Sequence, residues 1–248
     1  MKIDIRKTIA RNIAAMLKDG DFVNLGIGIP TLVGNYIPEG VEISFHGENG
    51  FVGQDEELDK NYIYESPQTL RNWLDTHGGE SFDYRSKEGH KDLVNAGGFY
   101  ITLQPGSCCF DSSVSFAIAR GGHLDVTVLG GLQVDRHANL ANWMVPGKKI
   151  NGMGGAMDLA CGAKKVIIAM EHCARDGSPK IVEECTMPPT ALGCVDVVVT
   201  ECCIIEFQDG RPVVTAMAAG LTEAELQERT GTKLHFAENI AEMLTVCE

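Results

Sequence analysis

Hydrophobic positions along the chain fall into two periodicities. Ala10, Ile13, Ala14 and Leu17 lie at i, i+3, i+4 and i+7, which makes one apolar helical face, with Asp4 placed as an N-cap and Gly20 as a stop. The apolar run FVNL that follows reads as a strand, and Gly26-Ile27-Gly28-Ile29-Pro30 as a glycine turn opening a helix. Further β-type runs are VEISF (41–45), FYITL (99–103), LDVTVLGG (124–131), KVIIAME (165–171), DVVVT (196–200) and PVVTAM (212–217). SSVSFAIAR (112–120) reads as a helix, and Thr222 with Glu225 three residues on forms a capping-box pattern that opens another. Residues 237–244 are read as a last helix. Strands with continuous rather than alternating apolar character, spaced by helices, predict an α/β protein: a mainly parallel sheet flanked by helices on both faces.

The 248 residues, 44% of them hydrophobic, suffice for one domain with a sizeable core. One segment breaks the pattern. Residues 54–91 are polar and strongly charged, and are expected to form an inserted loop or a small helical excursion. With 21 basic against 34 acidic side chains, the net charge of −13 argues against nucleic acid or an anionic bilayer as partner, since both require a basic footprint. No stretch approaches the ~20 apolar residues of a membrane span. Nine cysteines, an odd number with two vicinal pairs and no CxxC, favour reduced thiols and a cytoplasmic location.

Glycine concentrates in four strings, LGIGIP, HGENGFVG, LGGLQV and NGMGGAMD, where it permits positive φ and close backbone approach to a ligand. Neither GxGxxG nor GxxxxGK[ST] occurs, so a dinucleotide or P-loop site has little support. Glu48 stands out because it follows a strand and sits between Gly47 and Asn49-Gly50. The carboxyl end of a strand is where open α/β sheets bind ligands. The plainer reading is a solvated turn glutamate. Seven histidines without HExxH or a Cys/His ligand spacing give no case for zinc. Glu171-His172-Cys173 cannot form a triad among themselves, because neighbours on a strand point to opposite faces. Arg120 and Asp158 are expected to be buried partners.

NLGIGIPTLVGNYIPEG, GENGFVG, DLVNAGG, FDSSVSFAIARGGHLDVTVLGGLQVD, ANWMVPGKKINGMGGAMDL and CTMPPTALGCVDVVVTE resemble, in that order, the B (beta) subunit of the family I, 3-oxoacid type, CoA-transferases. The likeness covers nearly everything outside 54–91. It implies the CoA-transferase fold, related in outline to the sugar-phosphate isomerases. It also implies reversible CoA transfer between a short-chain acyl-CoA and a free carboxylate, such as acetoacetate with acetate or butyrate. The family's catalytic glutamate lies in an (S/G)ENG turn, which here is Glu48. No permanently bound cofactor or metal is implied; the coenzyme A thioester is a substrate.

Candidate oxyanion donors are the backbone N–H groups of Asn49 and Gly50 and those of the Gly154-Gly155 turn, the latter also assigned to the CoA environment. Gly26 and Gly28 are grouped with these CoA-binding glycines, shaping the turn under the site rather than touching ligand. Gln133 either hydrogen-bonds the site or serves structurally at a strand end. Because CoA is polyanionic and the chain acidic, Lys148-Lys149 and Lys164-Lys165 are candidate counter-charges, with a solvated face as the alternative. The resemblance implies a separate A (alpha) subunit, in a heterodimer or heterotetramer, supplying much of the CoA site. Rival readings are a sugar-phosphate isomerase-like or ligand-sensing protein, or a non-catalytic assembly subunit. The 54–91 segment could act as a lid, extend the acid pocket, mediate subunit contacts or decorate the surface.

Overall fold

The computed structural model describes residues 3–58, 63–64, 89–90, 92–147 and 152–247. In chain order the strands are β1 (Phe22–Leu25), β2 (Ser44–Gly47), β3 (Phe51–Leu58), β4 (Ile63–Tyr64), β5 (Gly89–His90), β6 (Tyr100–Cys109), β7 (Val126–Gly130), β8 (Gln133–Asp135), β9 (Leu140–Ala141), β10 (Lys165–Ala169), β11 (Ile181–Val182), β12 (Val197–Val199), β13 (Cys203–Gln208), β14 (Arg211–Met217) and β15 (His235–Glu242). The helices are α1 (Ile5–Ala14), α2 (Ser112–Arg120), α3 (Ala156–Gly162) and α4 (Glu223–Glu228), with a 3-10 helix at Pro30–Tyr36. The chain forms two compact units, Met1–Ile43 with Phe116–Glu248, and Ser44–Ser115.

In the larger unit the sheet order is β15-β14-β13-β12-β10-β7-β1. β1, β7, β10 and β12 run parallel, β13 is antiparallel to both neighbours, and β15 is parallel to β14. This is the mainly parallel α/β sheet expected. Register explains why its strands are apolar throughout. Leu129, Val166, Ile168 and Val198 join the core cluster that Leu159 of α3 and Leu226 of α4 complete. The alternate residues, Ile167, Val197 and Val199, are also buried, on strands that α1 packs against. Both faces are therefore covered, as a parallel sheet requires.

Local signals act as expected at several ends. Asp4 caps α1, its Oδ1 accepting from the Lys7 N–H at 3.0 Å. Pro30 sits in the first turn of its 3-10 helix. Thr222 and Glu225 form a reciprocal capping box at α4. Buried Asn12 on α1 clamps the C-terminal segment with a pair of bonds to the Leu244 backbone, 2.8 Å from its Nδ2 to the carbonyl and 3.0 Å from the Leu244 N–H to its Oδ1.

Two expectations are corrected. Residues 235–242 form β15, where a helix over 237–244 was expected. The β14–α4–β15 crossover lays this segment along β14, pairing Val213 with His235 and Met217 with Glu242. The ladder supplies backbone partners that outweigh the helical preference of Ala and Glu. The strand read at 41–45 begins instead at Ser44. Val41 donates to the Pro38 carbonyl, and Glu42 is tied by its backbone to Asp19 and Gly20.

In the smaller unit β2, β3 and β6 form an antiparallel sheet, β3 central. Of the 54–91 segment, 54–58 continue β3 and the pairs at 63–64 and 89–90 form a parallel ladder. The remainder lies outside the described residues, as do Lys148 and Lys149. Among the described residues no helix is long and apolar enough to cross a membrane.

Candidate active site

β2 and β3 are joined by the three residues Glu48-Asn49-Gly50, with His46 opposite Val52 and Gly47 opposite Phe51. The turn is closed by the Gly50 N–H donating to the Gly47 carbonyl at 2.9 Å. Two of its glycines are obligatory for different reasons. Gly50 has φ +121°, and a Cβ there would lie 2.1 Å from the Phe110 carbonyl oxygen. A Cβ on Gly47 would lie 2.2 Å from the Phe51 ring. This close packing makes the turn a rigid mount, and the half-buried Glu48 is the first residue beyond β2.

Neighbouring chain fixes the mount from two sides. The Asn49 side chain donates from Nδ2 to the Val94 carbonyl at 2.7 Å, tying the turn to the DLVNAGG segment. Beyond β6, the Phe110 N–H donates to the Gly50 carbonyl at 2.9 Å. The chain then enters α2, where Asp111 Oδ1 accepts from the Ser113 N–H at 2.9 Å. Hydrogen bonds from Ser113, side chain first and then backbone, hold the Asp111 carboxyl below its ordinary value. Because its N–H closes the turn, Gly50 shapes the backbone there and is not an outward oxyanion donor; Asn49 keeps that candidacy.

The other candidate residues lie in the larger unit. The Gly26 N–H donates to the Val128 carbonyl at 2.8 Å, and a Cβ on Gly26 would crowd that oxygen at 3.1 Å, so its small size serves close approach of β1 and β7. Gly28 has φ +97° with open space around it, and its carbonyl accepts from Thr31 Oγ1 at 2.9 Å. Gly154 (φ +56°) is exposed and Gly155 caps α3.

Gln133 is hydrogen-bonded to the 185–190 segment. Its Oε1 accepts from the Thr186 and Met187 N–H groups at 2.9 and 3.1 Å, and its Nε2 donates to Thr186 Oγ1 at 3.0 Å. The amide is thereby committed to holding the CTMPPT segment. Asp135, two residues on, is a similar bracket. Burial would raise its pKa, but bonds from Asn139, Cys185 and His137 together hold it below the ordinary value. Sequence reasoning gave Asp135 no role, since its four donors lie in two separate loops.

The other residues singled out are placed as follows. Arg120 and Asp158 do pair, at 2.7 Å, but the arginine side chain is 64% exposed, so the pair is a surface link between α2 and α3 and not a buried one. Lys164 is committed to Asp125 at 2.8 Å. His172 is fully buried between Thr200 and Thr230. Desolvation, aided by Arg229 and Lys180, lowers its pKa to about 4, so it is a neutral core residue. Among the described residues no group of three His, Cys, Asp or Glu side chains could hold a metal ion.

The larger unit is thus a mainly parallel α/β sheet, and the smaller unit carries a glutamate on a braced glycine turn. Comparison with known proteins specifies the family. The family model for Coenzyme A transferase matches residues 78–228. The chain is 48% identical over 238 residues to the acetate CoA-transferase subunit beta of Escherichia coli K12, covering 96% of this chain and 97% of that one. It is 38% identical over 245 residues to the human mitochondrial succinyl-CoA:3-ketoacid coenzyme A transferase 2, covering 98% of this chain but 42% of that longer protein. The crystal structure of an acyl-CoA transferase from E. coli O157:H7 shares the fold, with a TM-score of 0.70 at 17% identity over 98% of this chain and 44% of that one. The chain belongs to the coenzyme A transferase family and is similar over nearly its whole length to that beta subunit.

Proposed function

We propose that this subunit carries the nucleophile for reversible CoA transfer between a short-chain acyl-CoA and a free carboxylate, through a glutamyl-CoA thioester on Glu48. The observation that supports it most is the mount: a half-buried carboxylate on a turn whose backbone is held by Gly47, Gly50, Asn49 and Phe110. In the first stage the Glu48 carboxylate attacks the donor thioester carbonyl, giving a mixed anhydride and free CoA thiolate. The thiolate then attacks the Glu48 acyl carbon, releasing the donor acid and leaving the glutamyl thioester. The acceptor carboxylate reverses both steps. Each stage exchanges one activated acyl bond for another, and covalent catalysis divides one hard step into easier ones. Each also builds charge on a carbonyl oxygen, for which a preorganised donor such as the Asn49 N–H is worth ~3 kcal/mol.

The names of the relatives, acetate and succinyl-CoA:3-ketoacid transferases, support acetate and acetoacetate as the acids exchanged, with butyrate a further candidate. The designation of the E. coli relative as a beta subunit supports an alpha partner, in a heterodimer or heterotetramer, that contributes to CoA binding and offsets the −13 charge. A soluble cytoplasmic enzyme fits that chemistry.

The test is trapping. The complex with its alpha subunit is incubated with acetoacetyl-CoA, treated with borohydride and digested. The peptide bearing Glu48 is expected to shift in mass as the thioester is reduced to the alcohol. An unmodified peptide under full turnover would refute the assignment.

A further inference from the structure

Beneath the turn lies a buried polar pair that the transfer chemistry leaves unused. His46 is 4% exposed and Ser115, on α2, is fully buried. Ser115 Oγ lies 2.8 Å from His46 Nε2 and 2.9 Å from the Gly47 carbonyl oxygen. A hydroxyl has one proton to donate, and a carbonyl oxygen can only accept. Both contacts are hydrogen bonds when Ser115 donates to Gly47 and accepts from His46, which then carries its proton on Nε2. Burial lowers the His46 pKa, and a hydrogen bond to the Ser115 backbone partly offsets it.

The Gly47 carbonyl thus receives two donors, the Gly50 N–H from within the turn and the Ser115 hydroxyl from below. That carbonyl belongs to the peptide plane joining Gly47 to Glu48. In a trans peptide the carbonyl and the next N–H point in opposite directions, so anchoring one aims the other. Locking this plane fixes the Glu48 N–Cα bond, the axis from which the Cα–Cβ bond departs, and leaves only rotation about φ to place the side chain. The His46-Ser115 pair cannot touch substrate through this contact, but it can set where the carboxylate stands.

We infer that His46 and Ser115 are positioning residues for Glu48: the His46 Nε2–H orders the Ser115 hydroxyl, which pins the Gly47 carbonyl and so aims the nucleophile. This rests on the proposed role of Glu48, and the experiment separates failure of the two. The alpha–beta complex is prepared with wild-type, Ser115→Ala, His46→Leu and His46→Gln beta subunits. The rate of Glu48 labelling by acetoacetyl-CoA and borohydride is followed in a single turnover, alongside kcat and KM. A displacement near 1 Å at a reacting group can cost ~10²-fold in rate. Ser115→Ala and His46→Leu are therefore expected to slow labelling by about 10- to 100-fold with little change in KM. Glutamine can donate an amide N–H to Ser115 and is expected to restore most of the rate.

If wild-type Glu48 is never labelled, the assignment of the nucleophile fails and this inference with it. If Glu48 is labelled at the wild-type rate in both Ser115→Ala and His46→Leu, the positioning role alone is overturned. Should either variant fail to assemble, the His46→Gln complex and the wild-type ring decide. Equal slowing by Gln and Leu, or a 15N spectrum of wild type showing His46 protonated on Nδ1, overturns the inference.

Discussion

Gly50→Ala is the substitution that most directly tests the mount. Gly50 combines φ +121° with a Cβ position 2.1 Å from the Phe110 carbonyl oxygen, so alanine has to push the two apart by about 1.3 Å to reach ordinary contact. The oxygen has little room to yield, since the Phe110 N–H is bonded to the Gly50 carbonyl and α2 starts two residues on. Backbone strain at such a φ costs about 1–3 kcal/mol. Overpacking adds roughly 1–3 kcal/mol. For a chain of about this size each kcal/mol lowers Tm by ~2–4 °C, so a fall of roughly 5–20 °C is expected. Catalysis should suffer more, by about 100-fold in kcat, because the strain is relieved by moving the turn that carries Glu48. Gly210→Ala is the control. Gly210 has φ +72° in the two-residue turn Asp209-Gly210 between β13 and β14, with open space around it. It should show the backbone cost without the clash and leave transfer unchanged. Calorimetry and initial transfer rates of the alpha–beta complexes measure both. A Gly50→Ala enzyme no less stable than Gly210→Ala, with wild-type kcat, would refute the reasoning.

Two other outcomes follow from the core. His172 has its folded pKa lowered from 6.5 to about 4, so its contribution to stability is complete above pH 6.5 and is lost as pH falls towards 4. The loss is on the order of 3 kcal/mol. Denaturant titrations should show a shallower decline over that window for His172→Gln, and an equally steep one would remove His172 as its source. Burial, as the largest cause, pushes the Cys185, Cys194 and Cys202 thiols up to about 12, and that of Cys203 higher still. Native alkylation read by mass spectrometry should therefore label the exposed Cys108, Cys109, Cys161 and Cys247 first and spare those four until unfolding. Early labelling of Cys202 or Cys203 would contradict the burial described.

What was legible in the sequence is what depends on residues a few positions apart. Asp4 with Lys7 and Thr222 with Glu225 each complete their interaction within one helical turn, and residues 112–120 span about two and a half turns, so α1, α2 and α4 could be read directly. Continuous apolar runs announced a two-faced parallel sheet, and the GENG string marked Glu48, because a glycine-flanked carboxylate after a strand is a local pattern. What the tertiary structure decided depends on partners far along the chain. Residues 235–242 are a strand because β14 offers its edge, not because of their own propensity. Gln133 is a bracket because Thr186 and Met187, more than fifty positions away, consume its amide. Arg120 and Asp158 find each other but stay in solvent, which no spacing could reveal. His46 lies 69 positions from Ser115, and neither side chain signals the other until folding places both under the Gly47 carbonyl. A hydrogen bond requires atoms within ~3 Å in space, and sequence distance carries that information only where the backbone is locally regular.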